Sequence, residues 1–258
     1  LSSVSDAFSN VETLQGTAGV VMTGATITTT TAEAVTKANV TDLNNFTTAK
    51  VTVTSVQDSR SNVSDIAAIN NAQVDMSAAA VTITDAVTLA QANTDVGNLN
   101  SLTTGKVTLN SVEDTYDNIQ AIKLISDDDV DMGAAAVKVT SVVDKAKVDD
   151  LRTDTTGDIT VDSISDNKTN LGLVNAFTDV SLAAANISVT DVVTLAQANT
   201  IHAYNTAAGT TVTLSSVSDA FSNVATLQGT AGVVMTGATI TTTTAEAVTK
   251  ANVTDLNN

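Results

Sequence analysis

The sequence predicts an α/β fold, a repeat solenoid of parallel strands and short helices with about 26 residues per coil. Three observations carry this. Leu214–Asn258 repeats Leu1–Asn45 at an offset of 213 residues, the single difference being Glu12 against Ala225. A motif Ser-(Val/Ile)-x-Asp-x-x-x-Asn-(Val/Ile/Leu) recurs five times, its Asp residues 52, 56, 52 and 53 positions apart. Four copies follow a segment in which Val, Ile or Leu alternates with a polar residue, mostly Thr. Self-similarity at a fixed period marks a repeat architecture. The chain therefore reads as one continuous solenoid over 1–258, a window of a longer repetitive chain, with repeats near 1–50, 51–106, 107–158, 159–211 and 212–258.

The elements of one repeat follow in order. Val51–Thr54, Val107–Asn110, Ile159–Asp162 and Val212–Ser215 alternate with period two and predict half-buried strands. The motif aspartates Asp6, Asp58, Asp114, Asp166 and Asp219 then stand where helix N-caps belong. A helix of about ten residues is expected after each, over Val63, Ile66 and Ala67 or over Ile119, Ile122 and Leu124–Ile125, with Gly16 and Gly229 as stops. The in-register Asn10, Asn62, Asn118, Asn170 and Asn223 predict an inward ladder bonding backbone groups of adjacent coils. A second half-repeat has strands at Ala25–Thr28, Ala80–Thr84, Ala136–Thr140, Asn186–Thr190 and Ala238–Thr241. Its helices begin near Thr31, Asp85, Ser141, Asp191 and Thr244. Four extra residues between Val87 and Leu102 amount to about one helical turn and place a helix there. Strands joined by helical crossovers are parallel. The alternative is an all-β helix, which the Thr and Val content also suits.

Composition narrows the function. The net charge is −17, with only Arg60 and Arg152 as arginines, so the chain is ill suited to neutralising phosphates; nucleic acid and anionic membranes are not expected partners. No apolar run reaches the 18 residues of a membrane span. The absence of Cys removes thiolate catalysis and Cys–zinc sites. His202, the only histidine, lacks a second His or Cys to make a metal site or a triad. No catalytic or cofactor-binding residue emerges, and the protein is expected not to be an enzyme. Asp127, Asp129 and Asp131 have the alternate spacing of a calcium loop, but Gly133 and Lys138 fall where that loop needs other residues; calcium is the one cofactor left open. Gly16–Gly24 and Gly105-Lys106 faintly resemble phosphate loops without the required spacing. Asn39, Asn167 and Asn186 begin glycosylation sequons. Thr52/Thr54, Thr82/Thr84, Thr26/Thr28 and Thr239/Thr241 would form outward rows, offering lateral packing or a face for glycan or ice.

The combination Val-Ser-Asp-x-x-x-Asn-Val, a run of small residues, then Val-Thr-Ile-Thr-Asp and Val-Thr-Leu-Ala-Gln-Ala resembles giant tandem-repeat bacterial surface proteins, the S-layer-like and haemolysin-type adhesin repeats of cyanobacteria and proteobacteria. That resemblance implies secretion, an extended coat or stalk, and calcium dependence, although the glycine-aspartate nonapeptide of the haemolysin type is missing. The expected function is a non-enzymatic, extracellular structural protein forming a cell-surface layer or filament by head-to-tail or lateral self-association. The alternative is an adhesin stalk or Thr-face module that binds glycan or ice.

Overall fold

The computed structural model describes residues 1–69, 73–92, 103–125, 130–243, 248–249 and 251–252. The chain is α/β, its strands parallel and its helices short. It divides into two units, Leu1–Glu113 with Asp117–Ala136, and Asp114–Tyr116 with Val137–Asn258.

In the first unit, the strands Ser3–Asp6 (β1), Thr26–Thr29 (β2), Val51–Thr52 (β3) and Val74–Asp75 (β4) pair in that order. Beside them in sequence, Ser55–Asp58 (β5) pairs with Ala80–Val87 (β6), and β6 with Val107–Asp114 (β7). In the second unit, Ala136–Val143 (β8), Ile159–Asp166 (β9), Asn186–Val193 (β10) and Val212–Asp219 (β11) pair in sequence, and Thr239–Thr242 (β12) pairs with β11. Paired residues lie 21 to 26 positions apart in sequence throughout. Between paired strands the chain makes helices such as Phe8–Gln15, Lys37–Phe46, Arg60–Ala68, Lys145–Asp154, Lys168–Asn175, Leu195–His202 and Phe221–Gln228. These helices set aside the all-β alternative.

Alternation builds the core as expected at Val107 and Leu109 of β7 and at Ile159 and Val161 of β9, and the motif residues Val112 and Ile164, three positions further on, are buried as well. Each of these seven helices adds two apolar residues about one turn apart, for example Val63 with Ile66, Leu171 with Val174, and Val224 with Leu227. Burying each such side chain contributes roughly 1.5–3 kcal/mol.

Several boundaries differ from expectation. The strands do not stop at the fourth alternating residue: β7, β9 and β11 run through the motif Asp, and β6, β8 and β10 run to Val87, Val143 and Val193. The second-half helices therefore start later, at Lys37, Leu89, Lys145 and Leu195. The reason is a bulge. Thr84-Asp85, Thr140-Ser141 and Thr190-Asp191 each stand opposite a single residue of the next strand, so register shifts there and the strand continues. The helix over Ile119 and Ile122 ends at Lys123, leaving Leu124 77% exposed beyond it. Gly16 and Gly229 do end helices, but with right-handed backbone; the left-handed glycines come three residues later, at Gly19 and Gly232. The expected helix start at Thr244 and the four-residue insertion before Leu102 lie outside the described residues.

Candidate functional site

The most regular chemistry on the molecule is a set of carboxylates that tie one strand to the helix that follows the neighbouring strand. Asp58 shows the full arrangement. Its Oδ1 accepts hydrogen bonds from the Ser59 N–H at 2.8 Å and the Asn62 amide at 2.8 Å, and its Oδ2 accepts the Lys37 N–H at 2.8 Å. Lys37 is the first residue of the helix 21 positions earlier. Asp166 accepts the Lys145 N–H in the same way at 2.9 Å, and Asp219 the Leu195 N–H at 2.9 Å. The bulged residues repeat the device in the other half-repeat, where Asp85 accepts the Arg60 N–H at 2.7 Å and Asp191 the Lys168 N–H at 2.8 Å. The first N–H groups of a helix have no partner inside it, so these five helices have an orphan donor satisfied by a carboxylate of a later strand.

This corrects the capping expectation by one residue and one coil. The N-caps are Ala7, Ser59, Asn167 and Ala220, one position after Asp6, Asp58, Asp166 and Asp219. Asp114 binds the Thr115 N–H at 2.7 Å in the same pre-cap position. Because the strand runs through the Asp, its second oxygen reaches across the sheet to the first N–H of an earlier helix instead of into its own helix.

The asparagine ladder is also corrected. Asn10, Asn62, Asn170 and Asn223 each donate to the Asp four residues earlier in the same coil, at 2.8–2.9 Å. They are exposed or half-buried. The spacing Asp-x-x-x-Asn is one helical turn, so the two side chains meet locally and Asn118, at the same spacing from Asp114, occupies the same position on its helix. The buried polar ladder lies elsewhere, at Thr47, Thr103, Thr155 and Asn205. Thr47 donates to the Ala25 carbonyl at 2.6 Å, Thr103 to that of Ala79 at 2.5 Å, and Asn205 to that of Ala185 at 2.9 Å. Its signal was present in Thr47-Thr48-Ala49-Lys50-Val51-Thr52, Thr103-Thr104-Gly105-Lys106-Val107-Thr108 and Thr155-Thr156-Gly157-Asp158-Ile159-Thr160.

Bonding lowers the carboxylate pKa values. Burial would push Asp58 up, but hydrogen bonds from Asn62, Lys37 and Ser59 outweigh it and hold the group below the usual range. Asn223, Leu195 and Ala220 lower Asp219, and Asn10 with Ala7 lower Asp6. Burial again opposes but does not prevent the lowering of Asp191 by Lys168.

Asp127 and Asp129 of the calcium-like cluster lie outside the described residues. Asp131 is paired with Lys106 at 2.6 Å and accepts the Gly133 N–H at 2.8 Å. Both bonds are repeated by Asp75, which pairs with Lys50 at 2.6 Å and accepts the Ser77 N–H at 3.0 Å. Asp131 thus occupies a structural position of the repeat. Among the described residues no group of three or more His, Cys, Asp or Glu is placed to hold a metal.

The remaining candidates are accounted for locally. His202 lies over Gly232, where an added Cβ would come within 2.9 Å of its Nε2. Gly105 backs onto the Ala79 carbonyl, where a Cβ would stand 2.2 Å away, and its neighbour Lys106 is the partner of Asp131; this is close packing of coils, not a phosphate loop. Asn39, Asn167 and Asn186 all accept backbone N–H bonds. The threonine rows are broken: Thr28 aligns with Thr52 and then Asp75, Thr82 with Thr108 and then Asp131, and Thr160 with Lys138. Thr54 donates to the Thr29 carbonyl at 2.7 Å instead of facing outward freely.

No family model, curated protein or solved structure matches this chain. Among the described residues no helix is long and apolar enough to cross a membrane.

Proposed function

We propose that the protein is a non-enzymatic structural protein of the cell exterior, in which coils of about 26 residues wind into a solenoid that builds a surface layer or filament. The observation that carries this reading is the use of the polar side chains. Asp58, Asp85, Asp166, Asp191 and Asp219 each complete a helix of the neighbouring coil, and Thr47, Thr103 and Asn205 each close a carbonyl of the neighbouring coil. The repeated groups with chemical potential are committed to joining repeats, a division of labour that suits a load-bearing array. The acidic surface keeps such an array soluble before it assembles.

Electron microscopy of the purified chain, with and without a calcium chelator, tests the proposal. Filaments or sheets with one axial repeat are expected, unchanged by chelation because Asp131 is already paired with Lys106. Dispersed particles in both conditions would defeat the assembly reading. Hydrolysis of a polysaccharide or peptide by the pure chain would defeat the non-enzymatic one.

A further inference from the structure

Among the described residues, the first turns of seven helices each donate an N–H to a side chain 21 to 25 positions later. In six of these joints the acceptor is a carboxylate. Glu33 takes the Ser9 N–H at 3.0 Å, and Asp58, Asp85, Asp166, Asp191 and Asp219 take those of Lys37, Arg60, Lys145, Lys168 and Leu195. In the seventh it is a hydroxyl, where Ser141 Oγ accepts the Tyr116 N–H at 2.9 Å. Ser141 stands in the bulge Thr140-Ser141 as Asp85 does in Thr84-Asp85 and Asp191 in Thr190-Asp191. The backbone therefore delivers all three side chains to the same place in their strands, and only the chemistry of the acceptor differs.

The charge at the helix start differs in the same sense. The helices that begin at Phe8, Lys37, Arg60, Lys145, Lys168 and Leu195 have no acidic residue in their first turn. The negative charge that suits a helix N-terminus reaches them from the later strand. The helix Tyr116–Lys123 instead carries Asp117 in its own first turn. Its dipole is matched locally, and what crosses the joint is a neutral hydrogen bond, about half as strong as a charge-assisted one. The Tyr116 side chain adds a surface contact: its hydroxyl donates to the exposed Asp150 at 2.9 Å, and Lys147 Nζ lies 5.1 Å from the ring centroid.

We propose that the joint between Ser141 and Tyr116 is a built-in yield point of the fold. It opens before the six joints closed by carboxylates, and it frees the first turn of the helix Tyr116–Lys123 while the strands stay paired. The device is one side chain at a bulge, a serine where Asp85 and Asp191 stand in the equivalent strands. It concerns the folded single chain, so its test is separate from that of the layer or filament.

Native-state hydrogen exchange on the purified chain reads each joint at its own amide. After correction for intrinsic rates, the Tyr116 amide should exchange about fivefold faster than those of Lys37, Arg60, Lys145, Lys168 and Leu195, the difference expected between a neutral and a charged acceptor. Ser141→Asp supplies the acceptor already present at Asp85 and Asp191, and should slow Tyr116 exchange about fivefold while leaving Lys145 and Leu195 unchanged. Asp191→Ser, at the equivalent bulge, should create a second weak joint by raising Lys168 exchange to the level of Tyr116. Should Ser141→Asp lose its helical circular dichroism, Ser141→Ala takes its place; it removes the acceptor and should raise Tyr116 exchange. A Tyr116 amide as well protected as the other five, or one that responds to neither substitution at Ser141, would overturn the proposal.

Discussion

Leu1 and Leu214 sit at the same place in the same stretch of sequence, and differ only in what lies beside them. The stretch folds alike in both places: Phe8–Gln15 and Phe221–Gln228 are helices, Gly19 and Gly232 are left-handed, and Thr26–Thr29 and Thr239–Thr242 are strands. Local structure thus follows from local sequence, while burial follows from the neighbouring strand. That separation is what a nearest-neighbour description of a repeat protein requires, with intrinsic terms equal in the two copies and interface terms unequal.

The comparison breaks most sharply by truncation. Leu214→Ala should cost about 2–5 kcal/mol, because it opens a cavity between β10 and β11, whereas Leu1→Ala should fall within about 0.5 kcal/mol. Urea unfolding midpoints of the two variants measure this directly. Equal losses at the two sites would show that residues 1–6 are covered as thoroughly as 214–219.

A smaller effect is expected from the buried ladder. Thr103→Val removes the donor to the Ala79 carbonyl and also the acceptor of the Gly105 N–H at 2.9 Å. Leaving such groups unpaired costs about 1–3 kcal/mol. Thr48→Val, at the exposed neighbouring position of the equivalent turn, should change the midpoint little. The comparison is sharpened if Thr47→Val behaves like Thr103→Val, since both close an alanine carbonyl of the preceding coil.

Smaller again is the cap that crosses coils. Asp58→Ala should cost about 1 kcal/mol and should raise hydrogen exchange at the Lys37 amide, 21 residues away, as well as at Ser59. Faster exchange at Ser59 alone would return the carboxylate to a purely local role. Among the described residues Asp6 accepts the Ala7 N–H and the Asn10 amide, so the same substitution there should raise exchange at Ala7.

The same contacts show how far the sequence can be read. The apolar alternation places Val107 and Leu109 in the core, because period two is a property of a single strand; Val112, three residues beyond Leu109, falls outside that period. The motif Asp stands out by its regular recurrence. What it bonds does not, because Asp58 and Lys37 meet through the pairing of neighbouring strands, and no spacing within a motif encodes that contact. Asn62 was misplaced in the opposite sense: its partner is four residues away, yet recurrence alone suggested a ladder between coils. The true ladder at Thr47 and Thr103 was legible as a recurring Thr-Thr-x-Lys-Val-Thr. Threonine in a threonine-rich chain, however, signals strand propensity before it signals a buried hydroxyl. Asp85 and Asp191 resembled helix starts because a bulge of one residue cannot be seen without its partner strand.

The most diffuse effect is electrostatic. Asp6, Asp58, Asp131, Asp191 and Asp219 all have pKa values lowered in the folded chain, through hydrogen bonds from amides and lysines. Unfolded, each returns to about 3.9. The unfolded chain therefore binds more protons in the window between the folded and unfolded values, so stability rises with pH there and is lost as pH falls. Unfolding midpoints should be flat from about pH 7 to about pH 5 and should decline below about pH 4. Asp58→Asn should shallow that decline, because the amide keeps an acceptor but no longer titrates. A midpoint that increased on acidification would mean that self-repulsion of the −17 chain dominates over these bonded carboxylates. The carboxylates joining coils would then be a tolerated charge load, held in place by the hydrophobic contacts of the strands.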